Sequence, residues 1–349
     1  MMTADKSLDP GTLATYLEAS IPGFQGPITL EKFPDGQSNP TFKLKANSGV
    51  YVLRRQPPGK ILKSAHAVDR EYRVLHALSS TDVPVADVYH LCENTDVIGT
   101  MFYVMEYCDG DVFWGPTLPE VPDNARRSAM YAEMNRVLTA IHSVDIEKAG
   151  LLDYGYPGNY FQRQTGRWTK QYRASELSTI SAMDKLIEWL SHNIPPDDGK
   201  VSLVHGDYRL DNLMFAKDEP RIIAVLDWEL STLGHPYADL AYQCMALRLP
   251  HNDDPTVMSG LRGIDIDKLG IPDEKAYVSA YCKSMGISTI ENWDFYLAFS
   301  FFRLAAIAQG VAKRAIQGNA SHEKAAAVGA MVPVLAEMAL EITGAPHSA

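Results

Sequence analysis

Two runs, Leu203-Val-His-Gly-Asp-Tyr-Arg-Leu-Asp-Asn-Leu-Met-Phe215 and Ile223-Ala-Val-Leu-Asp-Trp-Glu229, hold the residues of this chain best suited to chemistry. Each is an apolar stretch of the kind that forms a buried strand, ending in polar side chains that a strand end or loop would present. The first offers Asp207 and, five residues on, Asn212; the second offers Asp227. Two carboxylates and a carboxamide on adjacent strand ends suit phosphoryl transfer from a nucleotide. One carboxylate orients the attacking hydroxyl, while the amide oxygen and the other carboxylate hold magnesium on the phosphates. That ion prefers hard oxygen ligands and neutralises charge building on the transferring group. Either run alone is equally a plain buried strand with a polar end; order and spacing together favour the chemistry.

His205-Gly-Asp-x-x-x-x-Asn212 with Asp227-Trp-Glu229 resembles the HGD…N and D-x-[DE] signatures of aminoglycoside phosphotransferase-like kinases. These are relatives of the eukaryotic protein kinases, whose matching motifs are H-R-D-x-x-x-x-N and D-F-G. The resemblance implies an α+β, bilobal protein-kinase-like fold that uses ATP and Mg2+. Asp207 then falls at the catalytic base, and Asn212 and Asp227 fall at the metal ligands. Arg209 falls where protein kinases place a lysine that touches the transferring phosphate. The chain departs from the protein-kinase pattern at Gly206, in place of arginine, and at Trp228-Glu229, in place of Phe-Gly. Both departures favour a small-molecule kinase over one regulated through an activation loop.

The elements that must position these residues follow from pattern. Asp9-Pro10 opens a helix over 9–20 with Leu13 and Leu17 on one face. Strands are expected at 28–33, 41–46 and 50–55, the last broken by Gln56-Pro-Pro-Gly59. Val68, Tyr72, Leu75 and Leu78 recur at helical spacing over 66–78. Strands at 85–92 and 100–106 complete a small, largely antiparallel lobe. From Ala125 onward helical patterns dominate, except for the strands at 201–204, 213–215 and 222–226. Strands first and helices afterwards indicate α+β architecture. The expected division is a nucleotide-binding lobe over 1–108 and a helical lobe over 109–349.

On the nucleotide side, the turn containing Gly36, Gln37, Ser38 and Asn39 could fold over phosphates with its backbone N–H groups. It resembles the family's G-x-S-N-x-x-[FY] loop. In Tyr51-Val-Leu-Arg-Arg55, alternation puts Val52 and Arg54 on one face and Leu53 and Arg55 on the other. By the resemblance, Arg54 stands where a phosphate-binding lysine usually sits, with Glu71 as its natural ionic partner. Arginine can grip phosphate oxygens bidentately, yet its length and planarity make it no simple replacement for lysine. The run 101–110 is close to the kinase strand-to-hinge pattern. It implies Met105 behind the adenine, with the Glu106 carbonyl and the Cys108 N–H bonding the base.

On the acceptor side, Gly234-His-Pro-Tyr-Ala-Asp-Leu-Ala241 resembles the family's G-x-P-x-x-D-L-A, in which Asp239 braces the catalytic loop. Arg163, Arg167, Lys170 and Arg173 give 159–175 a local charge of +4 inside a chain of net charge −11. Such a patch suits an anionic acceptor, such as a carboxylate or the phosphates of coenzyme A. A solvated face or salt bridges to the acidic surface explain it equally well. Arg167, Lys170 and Arg173 share a face if the segment is helical. Ser38-Asn-Pro40, Val52-Leu-Arg-Arg-Gln-Pro-Pro-Gly59, Ala65-His-Ala-Val-Asp-Arg-Glu-Tyr72 and Arg167-Trp-Thr-Lys-Gln-Tyr172 resemble one branch of the family. It is the kinase-like domain associated with acyl-CoA dehydrogenases, linked to hydroxylated fatty acids or their CoA thioesters. No flavin-site sequence accompanies it here, so a dehydrogenase activity is not expected.

Composition is consistent with this reading. Hydrophobic content of 46% and charged content of 21% are ordinary for a globular chain. The acidic balance disfavours nucleic-acid or anionic-membrane partners. Four scattered cysteines, with no C-x-x-C pair, argue against zinc or a disulfide framework and favour a cytoplasmic setting. No signal-peptide core follows the start. Apolar stretches at 295–312 and 325–342 are interrupted by charges or proline and fit packed helices better than membrane spans. The expectation is thus an ATP- and Mg2+-dependent kinase of a small hydroxylated molecule. Two other readings remain open: a degenerate kinase that binds nucleotide or acyl-CoA as a regulatory module, and an aminoglycoside-type antibiotic kinase. Oligomeric state leaves no trace in the sequence.

Overall fold

The computed structural model describes residues 8–33, 39–59, 66–253, 258–316 and 322–344. In chain order these form α1 (Pro10–Ser20), β1 (Thr29–Lys32), β2 (Thr41–Ala46), β3 (Gly49–Arg55), α2 (Val68–Leu78), β4 (Val88–Cys92), β5 (Phe102–Glu106) and β6 (Gly110–Val112). Next come α3 (Asn124–His142), α4 (Tyr160–Ser175), α5 (Ser181–His192), β7 (Ser202–Val204), β8 (Leu213–Ala216), β9 (Ile222–Val225) and β10 (Thr232–Gly234). The chain ends with α6 (Tyr237–Arg248), α7 (Ile266–Leu269), α8 (Glu274–Met285), α9 (Trp293–Ile316) and α10 (His322–Thr343). The α+β expectation holds, with an antiparallel sheet early in the chain and helices dominating later.

Contacts divide the chain into two units. The first comprises 1–111, 148–151 and 213–230; the second comprises 112–147, 152–212 and 231–349. Where the sequence reading draws one boundary after Cys108, the contacts draw several. The reason is non-local pairing: β8 and β9 form a hairpin, β6 joins beside β8, and the Val225 N–H donates to the Pro84 carbonyl at 2.9 Å.

In the first unit, five strands in the order β1-β2-β3-β5-β4 form a wholly antiparallel sheet. Asp9 caps α1 by accepting the Thr12 N–H at 2.8 Å, and Pro10 fits the first turn because its missing N–H costs nothing there. Leu13 and Leu17 then pack with Phe42, Leu44, Leu53, Phe102 and Val104 on one sheet face. Helix α2 buries Val68, Glu71, Val74, Leu75 and Leu78. Tyr72, expected on that face, is only half-buried, and Val74 takes its place. Glu71 thus lies on the buried face of its helix, where a carboxylate persists only if it is paired.

In the second unit, α9 packs against α4, α5, α6 and α10. By length and composition α9 could cross a membrane, but 89% of its most apolar window is buried in this fold. Strand β7 pairs antiparallel with β10, setting Val204 opposite Thr232. Asp123 and Asp273 cap α3 and α8 by accepting first-turn N–H groups.

Candidate active site

In the first unit, strand alternation sends Arg54 to the sheet face opposite Leu53 and Arg55, as its sequence predicts. Its guanidinium organises a polar cluster. Nε–H donates to Glu71 Oε2 at 2.6 Å, and Nη2 donates to Glu71 Oε1 at 3.4 Å and Asp227 Oδ1 at 2.9 Å. Nη1 donates to Thr41 Oγ1 at 3.2 Å. Glu71 is the expected partner, and it also accepts from the Tyr103 hydroxyl at 3.1 Å and from Asn39 Nδ2 at 2.7 Å. The Arg54 and Glu71 side chains are 13% and 3% exposed, against 37% for Asp227. Burial opposes the guanidinium charge, but Glu71, Tyr103 and Asp227 outweigh it and raise the Arg54 pKa. Burial, then the Glu71 charge, pushes the Tyr103 phenol well up.

Asp227 follows β9 with a φ of +61°, in the left-handed region where Asp is among the few tolerated side chains. The next residues form a short 3₁₀ turn, anchored by buried Trp228, whose Nε1–H donates to the Val225 carbonyl at 3.0 Å. One cation, Arg54, thus serves two carboxylates, and the less buried of them sits on strained backbone.

Of the loop expected to cradle phosphates, Gly36, Gln37 and Ser38 lie outside the described residues. Asn39 is fully buried, and its side chain braces Glu71 while its Oδ1 meets His66 Nδ1 at 3.0 Å. The Asn39 amide thus supports the ion pair, a role its turn-like sequence context conceals. At the expected hinge, Met105 and Glu106 close β5, and the Glu106 N–H donates to the Asp87 carbonyl at 2.7 Å. Burial and the neighbouring Glu106 push the Cys108 thiol up to about 12, so it is no nucleophile at neutral pH.

In the second unit, His205 through Asn212 leave β7 as a loop ending in a 3₁₀ turn at Leu210–Asn212. Gly206 has a φ of +85°, a conformation that arginine would adopt only with strain, which explains one departure from the protein-kinase motif. Asn212 Nδ2 donates to the Asp207 carbonyl and to Asp207 Oδ2, both at 2.9 Å. Two of the three expected site residues of this loop, Asp207 and Asn212, therefore meet directly. The loop is braced by fully buried Asp239, whose carboxylate accepts the His205 N–H at 2.6 Å and the Gly206 N–H at 2.8 Å. His142 approaches the same carboxylate at 3.5 Å and meets the Tyr281 hydroxyl at 2.7 Å.

Arg209 departs from expectation. Its guanidinium donates to Asp211, so the cation expected at the transferring phosphate is already engaged by a local carboxylate. Burial raises the Asp211 pKa despite that pairing, and the Asp207 charge adds to the rise. The basic segment is helical, as anticipated, and all four cations on α4 are exposed. Arg173 is matched by Glu176 at 3.1 Å and Asp184 at 2.6 Å, and Arg163 donates to the Tyr156 and Pro157 carbonyls. That leaves Arg167 and Lys170 as the stronger candidates for an anion.

Among the described residues no three His, Cys, Asp or Glu side chains gather as a metal cluster. A magnesium ion carried by nucleotide phosphates needs none, since one or two carboxylates suffice.

Residues 29–267, more than half of the chain, match the phosphotransferase enzyme family. The chain belongs to that family. It is 49% identical over 314 residues to acyl-CoA dehydrogenase family member 10 of Mus musculus, covering 90% of this chain and 29% of that protein. To acyl-CoA dehydrogenase family member 11 of Rattus norvegicus it is 43% identical over 341 residues, covering 96% of this chain and 43% of the relative. The chain thus spans less than half the length of these relatives. A crystal structure from Ralstonia eutropha, provisionally assigned as an aminoglycoside phosphotransferase, superposes with a TM-score of 0.88 at 48% identity, covering 97% and 99% of the two chains. Aminoglycoside phosphotransferase APH(4)-Ia, solved with AMP-PNP and hygromycin B, superposes with a TM-score of 0.60 at 16% identity over 94% of this chain and 98% of that one. That likeness shows the shared fold. Family and fold together make the chain a phosphotransferase of the small-molecule kinase type.

Proposed function

We propose that this phosphotransferase moves the γ-phosphoryl group of ATP, with Mg2+, to the hydroxyl of a small metabolite, a hydroxy fatty acid or its CoA thioester. The observation that carries the reading is the buried Arg54–Glu71 ion pair with Asp227 on the same guanidinium. A phosphate-binding cation in these kinases must be held by a helix carboxylate, and Arg54 has that partner. The pair therefore favours a working kinase over a degenerate one. AMP-PNP in a fold neighbour supports ATP as the nucleotide.

Asp207, fixed by Asn212, orients the acceptor hydroxyl and takes its proton as the oxygen attacks the γ-phosphorus and ADP leaves. Asn212, through its amide oxygen, and Asp227 suit Mg2+ because both offer hard oxygen donors. Two carboxylates sharing one arginine also leave a local negative charge for a cation to balance. When bound, the ion would draw charge from the phosphate oxygens. Arg54 adds a fixed positive charge, so most of the catalysis is positioning and electrostatics. Arg167 and Lys170 on α4 supply a docking charge for an acceptor carboxylate or CoA phosphate. The names of the mammalian relatives point to acyl-CoA chemistry as the setting.

The test is incubation with γ-labelled ATP, magnesium and a panel of hydroxy acids, hydroxyacyl-CoAs, amino alcohols and aminoglycosides, read by mass spectrometry. Phosphate on a hydroxy acid or hydroxyacyl-CoA is expected. Labelling of kanamycin in preference to these would replace the acceptor assignment. No labelled product, with nucleotide binding indifferent to magnesium, would restore the degenerate reading.

A further inference from the structure

Arg303 lies within α9, 6% exposed, in a stretch that is otherwise almost wholly apolar. Burying a guanidinium is costly unless its donors and its charge are satisfied. Its Nη2 donates to the Gly206 carbonyl. Its planar group lies 5.5 Å from the Trp168 ring centroid and 5.0 Å from that of Tyr242, so two aromatic faces share its charge.

The carbonyl that Arg303 holds belongs to the Gly206–Asp207 peptide. That group is planar, so fixing its oxygen also fixes the direction of the Asp207 N–H. The same N–H donates to His205 Nδ1 at 3.1 Å. One peptide is therefore gripped at both ends, by a buried arginine and by a buried histidine. Gly206, with its left-handed φ and no side chain, would otherwise be the softest point of the loop.

We infer that Arg303 is a positioning residue for the phosphoryl transfer: carried between Trp168 and Tyr242, it locks the Gly206–Asp207 peptide and so aims the Asp207 carboxylate. The inference rests on the reading of Asp207 as the base. Trp168 stands on α4 between Arg167 and Lys170, so the same stack ties the base to the helix assigned to the acceptor. Lysine could keep the charge but could not stack on two rings and reach the carbonyl as a planar fork does.

The test compares Arg303→Lys and Arg303→Met in the full chain, with Asp207→Asn as reference. Amide exchange of the 203–212 segment is measured together with turnover of magnesium-ATP and the hydroxyacyl panel. Arg303→Met should speed exchange of this segment about tenfold or more while β3 and α2 keep their protection. It should lower kcat about ten- to a hundredfold with KM for ATP within about twofold, and Arg303→Lys should recover part of both. Wild-type exchange in Arg303→Met, or a lysine variant no better than the methionine one, would overturn the inference. If Arg303→Met does not fold, Trp168→Leu removes one carrying ring and should loosen the same segment; unchanged exchange there would equally refute it. Full turnover by Asp207→Asn would sink the base assignment alone, leaving the exchange result to judge the clamp.

Discussion

Glu71 accepts the Arg54 Nε–H at 2.6 Å from a side chain that is only 3% exposed. Around that contact Asn39 and Tyr103 also donate to Glu71, and Asp227 accepts from the same guanidinium. Removing one member of a buried pair strands the other. Glu71→Ala should therefore cost about 3–5 kcal/mol of stability, read as a lowered denaturation midpoint, and should weaken ATP binding. A variant with wild-type stability would show that the pair is incidental.

Arg54→Lys tests what the arginine adds. Lysine keeps the charge but loses the fork that serves Glu71, Asp227 and Thr41 together. The expected result is a loss of about 1–2 kcal/mol, since the charge-assisted bonds to Glu71 and Asp227 are weakened and no charge is orphaned. ATP should still bind, as isothermal titration would show. Abolished binding would mean that the planar group itself contacts phosphate in a way lysine cannot copy.

Asp227→Ala should reduce kcat by on the order of 10²–10³-fold, the usual loss when one electrostatic stabiliser is removed. The loss should not be recovered by raising magnesium. Turnover unchanged with the true acceptor would remove Asp227 from the metal assignment.

Asp239 gives a prediction with a sign in pH. Burial alone would raise its pKa, but the contact with His142 and the Gly206 N–H prevail and hold it below the ordinary carboxylate range. A depressed folded pKa contributes stability that is complete above the unfolded value, about 3.9, and is lost as pH falls through the folded one. Asp239→Asn should thus destabilise by about 2–3 kcal/mol near pH 6, and the gap to wild type should narrow toward about pH 3. Urea titrations at the two pH values measure this. A constant gap would show that the carboxylate's charge plays no part.

Gly206→Ala should cost about 1–2 kcal/mol for the left-handed backbone and lower kcat more than it raises KM for ATP. A methyl group tolerated without kinetic effect would argue that the loop adjusts freely.

What the sequence disclosed and what it hid follow from the range of the interactions. The alternation in β2 and β3 and the apolar periodicity of α2 are local signals, and those elements fall within a residue or two of expectation. The Arg54–Glu71 pairing was legible because motif spacing fixed both members. Strands β6 and β10 are three residues each and exist only through distant partners, so no local pattern marks them. Arg303 was seen only as an interruption in an apolar run; its partner Gly206 lies 97 residues away in the chain. The contact of Arg209 with Asp211, two residues on, is likewise absent from the motif comparison, which places Arg209 only by its position in the family pattern.

The β8–β9 hairpin, which follows the Asp207 loop in sequence yet pairs with β6 and Pro84, also governs how the protein can be dissected. Expressing residues 109–349 alone would remove the Pro84 acceptor and much of the surroundings in which Asp227 is seated. The hairpin would keep β6 beside β8 but lose the tie on β9, and that open edge would invite strand-to-strand aggregation. A soluble fragment that keeps the metal-ligand candidates intact should therefore begin upstream of Pro84, however natural a cut after Cys108 looks on paper.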